Sequence, residues 1–269
     1  MPSADPQDRD FPWWLVATAL IGGVLAVAIA ANDVYRDVFD VVRRGVAITV
    51  FVTLTAFALA AALGLMIAIA GLSRFLLLRQ AARFYTEIVR GVPMLVLLFY
   101  VAFVATPGLV ALYNGITAVP RAAGLLDALE VRDVSLLWRA ILALTIGYSA
   151  FLAEVFRAGI LAVDAGQIEA GKALGLSAPQ RFRLVVLPQA VRTVLPPLGN
   201  DFIAMVKDSS LVSVLGVADI TQMGKIYAAG SFRFFETYNI VAYTYLLLTI
   251  GLSLALRALE RRLRSGAAG

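Results

Sequence analysis

The chain of 269 residues has no cysteine and no histidine, and only 15% of its residues are charged. The first absence removes disulfides and thiolate chemistry; the second removes histidine metal ligands and any histidine-based triad. A soluble domain of this length carries about 25% charged residues, so the third deficit excludes an ordinary soluble protein. Hydrophobic residues make up 61% of the chain and its mean hydropathy is +0.85. Also missing are a G-x-x-x-x-G-K-[ST] nucleotide loop and a G-x-S-x-G nucleophile elbow, so neither ATP hydrolysis nor serine hydrolysis has a recognisable seat. The formal net charge of +5 is accounted for by arginines flanking membrane spans, and nucleic acid is not an expected partner.

What is present is a series of long uncharged windows. A helix needs about 20 apolar residues to cross the hydrocarbon, and six windows are expected to do so: Phe11 to Ala31, Gly45 to Ser73, Gly91 to Leu112, Leu136 to Val163, Val191 to Val217, and Thr237 to Leu256. Trp13 and Trp14 are expected interfacial anchors of the first. "MPSADPQDRDFPWW" is not shaped like a cleavable signal, because acidic residues precede the apolar run and no small-residue cleavage site follows, so the first window is expected to be retained. These windows divide the chain into a tail and extra span (residues 1–40), a transmembrane domain (41–257) and a final tail (258–269).

Orientation follows from the lysines and arginines between spans. With both termini inside, Arg9, Arg74, Arg79, Arg83, Arg90, Lys172, Arg181, Arg183, Arg192, Arg257, Arg261, Arg262 and Arg264 lie on the inner side. Arg36, Arg43, Arg44, Arg121, Arg132, Lys225 and Arg233 lie outside, giving thirteen against seven. The outer cluster at Arg36, Arg43 and Arg44 is a local exception.

On the inner side, "GQIEAGKALGLSAPQRFRLVVLPQ" (residues 166–189) has the punctuation of two short helices. Asp164 caps the first, expected over Ala165 to Leu174, and Gly175 supplies its left-handed stop. Ser177 with Gln180 forms a capping box for the second, which Pro188 is expected to end or kink. Ile168, Ala173 and Leu174 are left for packing. A connector needs only a handful of residues, so the hairpin is either a partner-binding element or an amphipathic segment resting on lipid.

Several charges lie within the spans, where each costs at least about 2.5 kcal/mol. Glu154 and Arg157 share a helical face and are expected to pair, with Gly147 and Ala150 on the same face permitting close approach. In the fifth window, after Pro196 and Pro197, which should deform the helix, Asn200 and Lys207 form one polar stripe and Asp201 and Asp208 another. Glu154, Arg157, Asn200, Lys207 and Asp208 are the candidate substrate-binding residues. Glu154 with Lys207 is the expected acid and base for a zwitterion; a purely structural role in closing the interior is the competing reading for these charges. Arg139 is expected to snorkel to the outer interface, Glu87 and Arg90 to form a surface pair, Thr49, Thr53 and Thr55 to bond backbone or neighbouring helices, and Tyr243 and Tyr245 to pack.

The order Gln167, Glu169, Ala170, Gly175, Leu187, Pro188 resembles the EAA loop of ABC importer permeases, with Gly171 where that pattern carries alanine. "YTEIVRGVPMLVLLF", "AEVFRAGI" and "LPQAVRTVLPPLGNDFIAMVKDSSL" extend the resemblance, over roughly Arg44 to Leu256, to the polar amino acid permeases of that superfamily. The resemblance implies an all-α type I importer permease fold, five core transmembrane helices plus one extra N-terminal span, in a bacterial inner membrane. It assigns Gln167, Glu169, Ala170, Gly171, Gly175, Leu187 and Pro188 to ATPase coupling, and implies no catalytic site, metal or cofactor in this chain. The implied partners are a second permease copy or a sibling chain, two cytoplasmic ATPase subunits, an extracytoplasmic solute-binding protein, an amino acid and membrane lipid. The alternative is a secondary transporter driven by an ion gradient, for which inverted internal repeats would be expected and are not found.

Overall fold

The computed structural model describes residues 13–265, with the side chains of Trp14 and residues 259–265 excepted. The expectations for Phe11, for Arg9 and the other residues before Trp13, and for the side chains of Trp14, Arg261, Arg262 and Arg264 lie outside the described residues, as does the end of the final tail. Among the described residues every regular element is helical. The helices are α1 (Trp13–Ala31), α2 (Asp33–Val42), α3 (Val46–Gly71), α4 (Leu76–Gly91), α5 (Met94–Tyr100), α6 (Thr106–Ile116), α7 (Ala118–Ala122), α8 (Leu136–Leu161), α9 (Ala165–Ala173), α10 (Ala178–Arg181), α11 (Leu187–Asp208), α12 (Ile220–Ser231) and α13 (Phe234–Ser265).

α8 is the central post. The polar groups of Ser149 and Thr145 are enclosed with Ala140, Ile141, Leu144 and Leu152, and α3 lies along it. Their contact is close because Gly64 has no side chain: a Cβ there would lie 2.9 Å from the Ser149 carbonyl oxygen. Thr145 Oγ1 donates to Ala56 O, while Gly64 meets Leu152 and Ala153, so α3 and α8 run in the same sense. α11 runs against them, with Tyr148 joined to Asp208 near one end and Gly159 packed on Val194 near the other. The α4–α5 pair also opposes α8: Tyr85 bonds Ser149, Met94 packs on Gly147, and Ala102 meets Arg139. One end of the bundle therefore holds Gly71, Leu161 and the α9–α10 hairpin; the opposite end holds Gly45, Arg139 and Asp219.

The window boundaries shift for physical reasons. Among the described residues four helical stretches are long and apolar enough to cross a membrane: Asp33–Gly71, Met94–Ile116, Leu136–Leu161 and Phe234–Ala258. Of the other two expected spans, the apolar part of α1 is the shorter Leu15–Ala31, and α11 carries Arg192, Asp201, Lys207 and Asp208. The boundary placed at residue 40 falls inside the near-continuous α2–α3 helix. The third window, Gly91 to Leu112, corresponds to the Met94–Ile116 stretch; ahead of it lies the arginine-bearing α4, and the two part at Val92–Pro93, where the residue before proline is held extended.

Two π turns, Val101–Ala105 and Phe182–Val186, each end two residues before a proline, Pro107 and Pro188. A proline ring clashes with the carbonyl four residues back and leaves it without a donor; the widened turn relieves both effects. In the first, Thr106 Oγ1 supplies a donor to Val101 O at 2.7 Å. Pro188 therefore does not end the second hairpin helix. The chain continues from α10 through the π turn into α11, so the hairpin is the projecting start of a bundle helix. Nor is α11 broken at Pro196 and Pro197, whose rings free carbonyls of Arg192 and Thr193, both exposed residues.

Arg139 corrects another expectation. Instead of snorkelling outward it is 8% exposed, donating from Nε to Val134 O at 2.8 Å, from Nη1 to Ala102 O at 3.2 Å, and from Nη2 to Val131 O. It pins the loop before α8 to the π turn beyond α5. Arg139→Leu strips three carbonyls of a charged donor and is expected to destabilise the fold by about 3 kcal/mol. Thermal unfolding of the detergent-purified protein reads this as a clear fall in midpoint; an unchanged midpoint would contradict the role.

Candidate functional site: coupling hairpin and polar interior

The hairpin is built by local rules. Asp164 Oδ1 accepts from Gly166 N at 2.7 Å, starting α9. At its other end Gly175 N donates to Lys172 O at 2.9 Å and Leu176 N to Gly171 O at 3.0 Å, with Gly175 at φ +75°. This is a Schellman closure. Gln180 Oε1 then accepts from Ser177 N at 2.8 Å, opening α10. Gln167, Glu169, Ala170, Gly175, Leu187 and Pro188 are exposed, and Leu174 at the tip is 80% exposed. Gly171 alone of α9 is buried, against the stem of Arg181. The surface offered outward is thus a carboxylate, an amide, the Lys172 ammonium and one large aliphatic side chain, on and just past a helix with both ends satisfied.

Above it, α3, α4 and α8 enclose a cavity of about 410 Å³ lined by four arginines (Arg79, Arg83, Arg90, Arg157) and two glutamates (Glu87, Glu154). The expected Glu154–Arg157 pair forms, at 2.6 Å from Arg157 Nη2 to Glu154 Oε2. Both side chains remain partly exposed, so the pair contributes at most about 1 kcal/mol and is free to exchange partners. The expected Glu87–Arg90 ion pair is absent among the described residues; the Arg90 guanidinium lies 5.5 Å from the centre of the Phe151 ring, a cation–π contact.

A second cavity of about 250 Å³ sits at the α4–α5 break, lined by Met94, Tyr148, Phe151, Asp201 and Asp208 among others. Tyr148 donates to Asp208 Oδ2 at 2.8 Å. The two stripes expected on α11 part here: Asp201 and Asp208 turn to this cavity, while Asn200 and Lys207 are exposed. Within one chain the structure does not bring Lys207 to Glu154. Their apolar surroundings in sequence concealed that α8 turns Glu154 to the first cavity while α11 leaves Lys207 exposed.

Sequence reasoning missed a node at the opposite end. Asp219 is fully buried; its Oδ1 accepts from Gln222 N at 2.8 Å and its Oδ2 from Tyr245 Oη at 3.0 Å. Ile220 N donates to Thr49 Oγ1 at 3.2 Å, tying α12 to α3. Burial pushes the Asp219 carboxyl above its ordinary value, and these donors pull it back. Tyr245 is thus more than packing, whereas Tyr243 does pack, against Gly22 of α1. Asp before an amphipathic run was a readable N-cap signal. Tyr148 carried none.

The comparisons agree with this architecture. Residues 60–265 match the family described as "Binding-protein-dependent transport system inner membrane component", a match that begins beyond α1 and α2. The probable amino-acid permease protein YxeN of Bacillus subtilis (strain 168) is 35% identical over 223 residues, 83% of this chain and 91% of that one. The glutamine transport system permease protein GlnP of Escherichia coli (strain K12) is 37% identical over 185 residues, 69% of this chain and 75% of that one. Among solved structures, an amino acid ABC transporter described "with histidines" superposes with a TM-score of 0.68 at 34% identity, covering 83% of this chain and 94% of that one. The MetNI methionine ABC transporter, at 21% identity and a TM-score of 0.63, shares the fold. With more than half its length matched and a parallel-and-opposed helix bundle of the same kind, this multi-pass membrane protein belongs to the family of inner membrane components of binding-protein-dependent transport systems.

Proposed function

We propose that the chain is the permease subunit of an ATP-driven importer for polar amino acids, with the α9–α10 hairpin as the contact for a separate ATPase. The observation that carries this is mechanical: the exposed hairpin is continuous, through one π turn, with α11, which lines the polar interior. A push on the hairpin is delivered to the pathway without an intervening loop. The relatives' names, amino-acid permease and glutamine transport, support the substrate class. Nothing in the fold or the relatives favours the ion-coupled alternative.

In this reading the hairpin faces the cytoplasm, both termini lie there, and two ATPase subunits drive a pair of permeases, identical or sibling. An extracytoplasmic solute-binding protein delivers substrate at the end holding Asp219. Asn200 and Lys207, exposed on the single chain, face the second permease. Glu154 takes the ammonium of the substrate, and Arg157, already beside it and joined by Arg83 in the same cavity, takes the carboxylate; this pairing replaces Glu154 with Lys207. Asp208 acts through Tyr148 in the neighbouring cavity.

The test is to purify the chain with its ATPase, crosslink from the hairpin, and measure uptake in vesicles loaded with ATP or without. Hairpin crosslinks into the ATPase and strict ATP dependence are expected; a hairpin protected only by lipid, with uptake that ignores ATP, would overturn the reading. Glu154→Gln removes one charge-assisted bond and is expected to weaken amino acid binding to the detergent-purified complex about ten-fold. Equilibrium dialysis with labelled amino acid reads the loss, and size-exclusion should find the assembly intact. A variant that fails to assemble would return Glu154 to a structural role.

A further inference from the structure

The hairpin is open to a partner and only lightly tied to the bundle. α9 packs chiefly on α10 and on the π turn that follows it, so its angle to α11 depends on few contacts. The position where the EAA pattern carries alanine holds Gly171, and the structure gives that departure a use. A Cβ at Gly171 would lie 3.2 Å from Arg181 Cγ and 3.3 Å from Arg181 Cδ, tighter than ordinary van der Waals contact. The aliphatic stem of Arg181 occupies the room that the missing methyl leaves.

The far end of Arg181 is equally engaged. Its Nη1 donates to Leu176 O at 2.5 Å, just past the Schellman closure of α9. A cation beside a helix C-terminus also complements the exposed carbonyls of that end. Arg181 is itself the last residue of α10, immediately before the Phe182–Val186 π turn. One side chain therefore touches the middle of α9, the inter-helix loop and, through its own backbone, the root of α11. None of the five ion pairs of the described residues includes it.

We propose that Arg181 is the positioning residue of the hairpin: seated on Gly171 and bonded to Leu176 O, it makes α9 and α11 move as one body. The inference rests on the hairpin being the ATPase contact, yet its geometry is testable without transport. It makes a prediction opposite in sign to helix propensity. Alanine is a better helix former than glycine, so if α9 needed only helical stability, Gly171→Ala would be neutral or favourable. If Arg181 is a clasp, the added methyl unseats its stem and loosens the lever.

Two readouts on the intact complex of permease, ATPase and binding protein, reconstituted in sealed vesicles, decide it. The first is amino acid imported per ATP hydrolysed. Gly171→Ala and Arg181→Ala are each expected to lower this ratio about ten-fold, the worth of one bond from a charged donor. The double variant is expected to be no worse than Arg181→Ala, since both lose the same contact. The second is the distance distribution between spin labels at Lys172→Cys and Arg192→Cys, clean because the chain has no native cysteine. A single narrow distance in the parent should broaden in both variants. Losses that multiply in the double variant, or unchanged widths and ratios in both singles, overturn the clasp. Widths that respond in a complex that imports nothing would leave the clasp standing and remove the transport reading.

Discussion

Gly175→Pro is expected to reduce ATP-driven uptake by about 100-fold while the chain still inserts, because proline loses the turn twice over. Gly175 sits at φ +75°, a region closed to the proline ring, and its N–H donates to Lys172 O. Losing both costs about 3 kcal/mol or more at the end of α9, equivalent to roughly a 100-fold fall in the population of the closed hairpin. Glu169→Lys attacks the same contact differently, reversing the one exposed carboxylate of α9 without touching its caps. It is expected to abolish stimulation of ATP hydrolysis by loaded binding protein. Uptake and ATPase assays in sealed vesicles check both, with thermal unfolding to establish that the bundle survives; uptake and stimulation at parental levels in both variants would remove the hairpin from coupling.

Gly45→Ala is expected to be the most damaging single methyl in the chain. A Cβ at Gly45 would lie 2.4 Å from Asp219 C and from Ile220 N, and backbone cannot step aside as a side-chain tip does. α12 must move away from α3, and the bond from Ile220 N to Thr49 Oγ1 goes with it, while the bond from Tyr245 Oη to Asp219 is strained; the cap from Gln222 N travels with the helix. Overpacking plus a lost buried hydrogen bond is worth about 3–5 kcal/mol. The check is the thermal midpoint of the purified protein and amide exchange over residues 219–231. Gly108→Ala, where a Cβ meets nothing within 4 Å, is the matched control. Equal behaviour of the two variants would mean that the close approach at Gly45 is not structurally important.

How legible this molecule is depends on the range of the signal. The caps of α9 and α10, at Asp164, Gly175, Ser177 and Gln180, are each written within a few residues of the groups they bond, and the structure forms them as read. Gly147 as a site of close approach was legible too, although its visitor, Met94, was not. α4 escaped because a window search rejects arginines, while Arg79, Arg83 and Arg90 are tolerated by lining a wet cavity. Arg139 misled for the opposite reason: snorkelling is the rule for a lone cation near a span end, and only the fold reveals three carbonyls waiting for it. Lys207 and Glu154 looked like partners because both are intramembrane charges; that Glu154 on α8 and Lys207 on α11 face apart is set by the packing of α11 on α8 at Gly159 and Tyr148, information that no local pattern carries.

The Phe182–Val186 turn has one further implication, for azimuth. With 3.6 residues per turn, a single residue spans about 100° of rotation, and a π turn accommodates one residue more than the α-helix around it. The direction in which α9 points around the axis of α11 is therefore fixed by that extra residue, and a strictly regular helix from Ala178 to Asp208 would aim Glu169 and Leu174 in a different direction around that axis.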